Sequence, residues 1–197
     1  MLVRKLFLLC CILLLPACGE HKLPSPYHAT DVTLQLDQAD FQLTDFNGKA
    51  RRLADFRGKV VVLFFGYTSC PVVCPTTLSD LAQVMQMLGK DADRVQVVFV
   101  TVDPERDELE LLAKYVPLFH PSFLGLYGDA QATVKTAKSF GVSYEKQHYK
   151  KGGYTLLHSD GIFLIGTTGQ PVLLSRYGQQ QTDLLVQDIR LLLAANR

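Results

Sequence analysis

The sequence predicts an α/β protein: a central, mostly parallel sheet flanked by helices, with an amino-terminal hairpin and a carboxyl-terminal helix. Two observations carry the prediction. Residues 60–65 contain only valine, leucine and phenylalanine, an apolar run of strand length that suits burial on both faces of a parallel sheet. Residues 95–102 repeat the pattern. Each run leads into helical spacing, Leu78, Leu81, Met85 and Leu88 after the first, Leu109, Leu112, Ala113 and Val116 after the second. Two strand–helix units in series imply right-handed crossovers.

The chain has 197 residues, 48% hydrophobic and 20% charged, with a formal net charge of +1. That suits one globular domain with an appendage, and the even charge balance offers no basic footprint for nucleic acid. The appendage comes first. Arg4 and Lys5 precede an uncharged apolar run over residues 6–15, a secretory signal pattern shorter than the ~20 residues that span a bilayer as a helix. Leu15-Pro16-Ala17-Cys18 resembles the bacterial lipobox, which makes Cys18 the lipid-bearing first residue of the mature chain. The predicted division is a signal peptide over 1–17, a tether over 18–31 and one domain over 32–197. His21 and His28, in the polar tether, read as exposed residues with no role.

Around residues 41–56, short apolar pairs flank Asn47-Gly48, a tight-turn signal: a hairpin before the main sheet. At the end of the 60–65 run, Gly66 leads into Tyr67-Thr68-Ser69-Cys70-Pro71-Val72-Val73-Cys74-Pro75, with the helix expected from Thr76. Open α/β sheets place their sites at such strand ends. Were Cys70 and Cys74 both on the first helical turn, their Cβ atoms would be about 5–6 Å apart on one face. The positive helix end favours thiolates, which serve both as nucleophiles and as metal ligands. A redox disulfide and a shared metal ion both fit; a structural disulfide or two inert buried thiols fit the loop less well. Cys10 and Cys11 leave with the signal and lipid caps Cys18, so Cys70 and Cys74 are the mature domain's own pair. In an oxidising compartment that pair needs a reducing or metal-delivering partner.

After the second run, Asp103-Pro104 reads as an N-cap with proline at the first helical position; a supporting role for Asp103 beside the cysteine loop is the alternative. Residues 123–127 read as a strand, 130–140 as a weaker helix closed by Gly141, and 142–147, 154–157, 162–165 and 172–177 as strands. Thr182 is expected to cap the last helix, with Leu185, Ile189, Leu192 and Leu193 on one face. His158 falls between two strand patterns, on an expected loop. A lone histidine is more often structural than a ligand, and His120 and His148 have no support as ligands.

Cys70-Pro71-Val72-Val73-Cys74-Pro75, Thr101-Val102-Asp103-Pro104-Glu105-Arg106-Asp107, Phe119-His120-Pro121, and His158 with Phe163-Leu164-Ile165 together resemble the SCO/SenC copper metallochaperones, from about Asp40 to the end of the chain. The resemblance implies a thioredoxin-like fold and one copper ion, Cu(I) or Cu(II), bound by Cys70, Cys74 and His158. It also implies delivery to the binuclear copper centre of cytochrome c oxidase, on the periplasmic side of a bacterial membrane. The partners it implies are the oxidase's copper-bearing subunit and a periplasmic copper donor or thiol reductant. A thiol-disulfide reductase using Cys70 and Cys74, and a copper buffer or redox sensor, are the competing readings. The chain departs from many relatives in carrying Leu157, not aspartate, before the histidine. Residues 156–165 also lack the proline that thioredoxin-type oxidoreductases place there.

Overall fold

A computed structural model describes residues 25–176 and 181–195. The expected signal peptide, Cys18 and His21 lie outside the described residues. The strands are β1 (Thr30–Asp31), β2 (Gln42–Asp45), β3 (Ala50–Arg52), β4 (Val60–Gly66), β5 (Val95–Thr101), β6 (Leu124–Tyr127), β7 (Tyr144–His148), β8 (Tyr154–His158), β9 (Ile162–Ile165) and β10 (Pro171–Ser175). The helices, numbered in chain order, are α1 (Val73–Leu88), α2 (Leu109–Tyr115), α3 (Ala130–Ser139) and α4 (Thr182–Ala195). No described helix is long and apolar enough to cross a membrane.

Eight strands form one mixed sheet in the order β1-β10-β9-β4-β5-β6-β2-β3. Its centre is parallel, β4 with β5 and β5 with β6. Antiparallel strands extend both sides, β9 beside β4 and the β2–β3 hairpin beside β6. The hairpin turns at Asn47-Gly48 as expected, with Gly48 at φ +80°, a left-handed conformation that glycine adopts without a Cβ clash. Every residue of β4 is buried, which is why its sequence shows no alternation. Leu78, Leu81, Val84, Met85 and Leu88 of α1 and Leu185, Val186, Ile189, Leu192 and Leu193 of α4 are buried. Each such side chain contributes roughly 1.5–3 kcal/mol of burial.

Four expectations are corrected. The first helix opens at Val73, so Cys74 is on its first turn and Cys70 precedes it. Asp103 caps no helix: α2 begins at Leu109 with Glu108 as N-cap. The Asp103 carbonyl instead accepts from the Arg106 and Asp107 amides at 3.1 and 2.9 Å, closing a compact turn that Arg106 and Tyr154 hold from the side. His158 is the last residue of β8 and pairs with Tyr144. Finally, residues 28–31, expected in the tether, are docked. The His28 and Ala29 amides each donate to the buried Asp188 carboxylate of α4 at 2.9 Å. The His28 ring meets Gln187 at 3.1 Å, and Thr30 and Asp31 pair with β10.

The β7–β8 hairpin stands apart from the main sheet and lies across the carboxyl ends of β4 and β5. Contacts along β8 fix it there. His158 meets Cys74, Thr155 Oγ1 meets the Tyr67 hydroxyl at 2.9 Å, and Tyr154 OH donates to Asp103 at 2.6 Å.

Candidate metal centre

Beyond β4 the chain turns tightly, the Cys70 amide donating to the Tyr67 carbonyl at 3.2 Å. The N-cap residue of α1, Val72, offers no side-chain acceptor. The Cys70 sulfur takes that role, accepting from the Cys74 amide at 3.4 Å, so the helix's unpaired donors and positive end face it. Cys74 Sγ sits over Gly66, where a Cβ would lie 2.8 Å from that sulfur and 2.8 Å from Phe99. Only glycine leaves this space.

His158 completes the group. Its Nε2 lies 3.6 Å from Cys74 Sγ, and its Nδ1 lies 2.8 Å from the Ser159 carbonyl. A carbonyl only accepts, so Nδ1 carries the proton and Nε2 keeps its lone pair toward the sulfurs. Edge contacts with Phe64 and Tyr67, at centroid separations of 6.5 and 5.7 Å, fix the ring plane. The two sulfurs and an imidazole nitrogen lie within 4.8 Å of one another; among the described residues no other group of three or more histidine, cysteine or acidic side chains could hold a metal ion.

Both thiols are free and buried, yet they differ. Cys70 is lowered to about 5, first because the Cys74 thiol donates to it, with the Cys74 and Val72 amides adding to this against its burial. Cys74 is raised, because it holds that shared proton, because it is buried, and because the charges of Cys70 and Asp107 oppose a second anion. One thiolate and one thiol thus share a proton at a helix end.

The loop is held from behind by Asp107, which is fully buried. Its carboxylate accepts from the Thr68 amide at 2.9 Å, the Thr68 hydroxyl at 2.5 Å and the Thr101 hydroxyl at 2.7 Å. Burial raises its pKa against these three bonds. Asp103 supports the hairpin, pairing with Arg106 at 2.5 Å and accepting from Tyr154. Arg106 Nη1 also donates to the Tyr154 carbonyl at 3.0 Å, its guanidinium 3.8 Å over the Tyr154 ring.

Of the predicted residues, Cys70, Cys74 and His158 converge, and Asp103 supports the strand that carries the histidine. His120 is structural, bonded to Ser122 at 2.8 Å and packed on Phe123; His148 packs on Tyr154. Gly66, Tyr67, Thr68, Thr101, Arg106 and Asp107 stand in the quoted stretches but were given no role at the site from sequence. The three carboxylates of Asp103-Pro104-Glu105-Arg106-Asp107 after a buried strand were the available signal.

The model of the SCO1/SenC family matches residues 31–194. The mitochondrial SCO2 homologues of Homo sapiens and Mus musculus are 39% and 38% identical over 77% and 80% of this chain. The matches cover 57% and 63% of those proteins, so the chain spans less than two thirds of their length. Bradyrhizobium japonicum ScoI, solved with copper bound, is 39% identical over 77% of this chain and 96% of its own, with a TM-score of 0.70. Apo Sco1 of Thermus thermophilus is 43% identical over 84% and 96%, with a TM-score of 0.75. A SCO1/SenC family lipoprotein of Bacillus anthracis is 25% identical over 78% and 92%, with a TM-score of 0.66. The expected thioredoxin-like α/β fold is the fold observed, and the chain belongs to the SCO1/SenC family.

Proposed function

We propose that this protein is a copper chaperone. It binds one copper ion as cargo through Cys70, Cys74 and His158 and delivers it to the binuclear copper centre of cytochrome c oxidase. The observation that carries this is the convergence of two buried sulfurs and a pre-oriented imidazole nitrogen within 4.8 Å. Thiolates are soft ligands that select Cu(I), and imidazole suits copper in either oxidation state. A structural zinc site wants four protein ligands, and the described residues bring no fourth to this group. The copper-bound ScoI relative supports the choice of metal.

The residues divide the work. Cys70 is already ionised near neutral pH and meets the incoming ion first. Cys74 gives up its proton as the ion settles, because only the thiolate ligates. His158 presents Nε2 without turning, since Ser159 holds the other nitrogen. Three ligands leave one side of the ion open to a recipient sulfur, so transfer proceeds by stepwise ligand exchange. The recipient is the copper-bearing oxidase subunit; an upstream copper donor or thiol reductant keeps the pair reduced and loaded. Cys18 bears the lipid that holds the domain at the periplasmic side of a bacterial membrane, a reading the Bacillus anthracis lipoprotein supports.

One observation favours a second reading, thiol-disulfide reduction: the low-pKa Cys70 beside a protonated Cys74. There Cys70 attacks a recipient disulfide, releasing one recipient thiol. Cys74, deprotonated, displaces the other and leaves a Cys70–Cys74 disulfide. That chemistry does not need His158. His158→Ala separates the two, measured by copper per chain, Cu(I) affinity and oxidase assembly. Copper delivery predicts loss of high-affinity binding and of assembly while the dithiol still cycles. Assembly as good as the parent's would put the reductase reading first.

A further inference from the structure

The strand register fixes where the tether meets the domain. Phe64, near the carboxyl end of β4, pairs with Ile162, Ile162 pairs with Ser175, and Thr30 pairs with Leu174, next to Ser175. From Thr30 the chain runs away from that end, the Val32 amide donating to the Val172 carbonyl at 2.9 Å. Thr30 therefore enters the sheet at the end that carries Cys70, Cys74 and His158. The nine residues from Cys18 to Pro26 span at most about 30 Å. A lipid on Cys18 would, over so short a span, keep this end of the sheet near the bilayer.

The same end is dressed for a lipid surface. The β7–β8 hairpin roofs it, and the hairpin's turn exposes Tyr149, 58% accessible, beside exposed Lys150 and Lys151. Lys146, by contrast, is paired with Glu105 at 2.5 Å. Tyrosine favours the membrane–water interface, and lysines near a bilayer are drawn to anionic headgroups. Val72, between the two cysteines, and Leu157, next to His158, are 60% and 54% exposed, so the rim of the centre is apolar.

We propose that the metal-bearing end of the domain lies against the bilayer that holds Cys18, with Tyr149, Lys150 and Lys151 touching anionic headgroups. Copper is then presented to a recipient whose accepting sulfurs lie close to the same lipid surface. This deepens the lipid-anchored chaperone reading and rests on it.

The chain has no tryptophan, so one introduced tryptophan is an unambiguous reporter. The lipidated full chain carrying Tyr149→Trp, or Leu34→Trp near the opposite end, is reconstituted on vesicles of phosphatidylcholine and phosphatidylglycerol that include a lipid with a nitroxide headgroup. The expected result is loss of emission for Tyr149→Trp and little loss for Leu34→Trp. The loss should diminish when phosphatidylglycerol is omitted or when Lys150→Gln and Lys151→Gln are added. Equal loss at the two positions, or greater loss for Leu34→Trp, in protein that floats with the vesicles would overturn the orientation and leave the anchor standing. Failure of the lipidated chain to float would overturn anchor and orientation together. Emission insensitive to lipid but altered by an added oxidase subunit would assign this end to a protein partner and overturn the proposal. Copper affinity in solution tests the ligand set independently of all these results.

Discussion

The Cys74 amide donates to the Cys70 sulfur at 3.4 Å, so the cysteine that precedes α1 serves as the acceptor for its first turn. This contact adds to the Cys74 thiol's hydrogen bond, which dominates the lowering of Cys70 to about 5. In the reduced, metal-free protein, alkylation by iodoacetamide should modify Cys70 first, with a rate that rises through about pH 5. An unperturbed thiol titrates near about 8.5. A profile centred there would mean that the two sulfurs do not share a proton.

Stability should follow the same pair. The folded value of Cys70 is below its unfolded value, so its contribution is present at and above the unfolded thiol value and is lost as pH falls through about 5. Cys74 is raised, so its contribution is present below the unfolded value and is lost as pH rises above it. Urea unfolding of the reduced apo protein should therefore show a contribution from the pair that peaks near the unfolded thiol value. In Cys70→Ser/Cys74→Ser that peak should vanish, and a variant with the parent's pH dependence would exclude the pair as its source.

Asp107→Ala strands the Thr68 amide and hydroxyl and the Thr101 hydroxyl in a buried place. At about 1–3 kcal/mol for a buried group left unpaired, a stability loss of about 2–4 kcal/mol is expected, together with weakened copper binding as the loop shifts. Asp107→Asn keeps acceptor capacity and should lose about half as much. If Asp107→Ala binds copper like the parent, the cysteine loop does not depend on this anchor.

Gly66→Ala asks a steric question at the same place. The backbone there lies outside the left-handed region, so alanine meets no conformational penalty; the obstacle is Cys74 Sγ and Phe99, each 2.8 Å from the new Cβ. Overpacking of this kind costs typically about 1–3 kcal/mol, and here the easiest relief is to push the thiol off its position. Copper affinity should fall more than stability. A variant that unfolds like the parent and binds copper equally well would show that Cys74 need not sit where the structure places it.

What the sequence revealed, and what it did not, follows the range of the forces. The central strands were legible because burial on both faces leaves an uninterrupted apolar run, as in β4, and the cysteine pair lies directly after one. The antiparallel placement of β9 was not, since Ile162–Ile165 is buried throughout and an apolar run carries no direction. Four of the five β7 residues are exposed, so no periodicity marked it as half of a separate hairpin. Asp103-Pro104 imitates a helix start; its turn is held by Tyr154, 51 residues away in sequence. His158 had no local mark and was legible only through the resemblance, because what makes it a ligand candidate is Cys74, 84 residues earlier. The docking of His28 and Ala29 depends on Asp188, about 160 residues distant.

The hairpin that delivers His158 is held to the domain at its other end by Tyr154, whose hydroxyl donates to the buried Asp103 at 2.6 Å. Burial and this acceptor raise the hydroxyl's pKa, so it stays a donor near neutral pH. Tyr154→Phe removes the bond while keeping the ring beneath the Arg106 guanidinium. The Asp103 carboxylate is left with Arg106, and a stability loss of about 1–2 kcal/mol is expected for a bond to a charged group. The more telling effect is local. Because β7 and β8 pair with each other and stand apart from the main sheet, loosening this tie should speed amide exchange in the hairpin while β4 and β5 exchange as before. Copper should then leave faster, since His158 sits on the loosened strand and both cysteines do not. Hydrogen exchange of the apo protein and copper release to a chelator measure the two effects. Uniform acceleration across the sheet, or an unchanged release rate beside a faster hairpin, would mean that Tyr154 supports the fold without steadying the ligand.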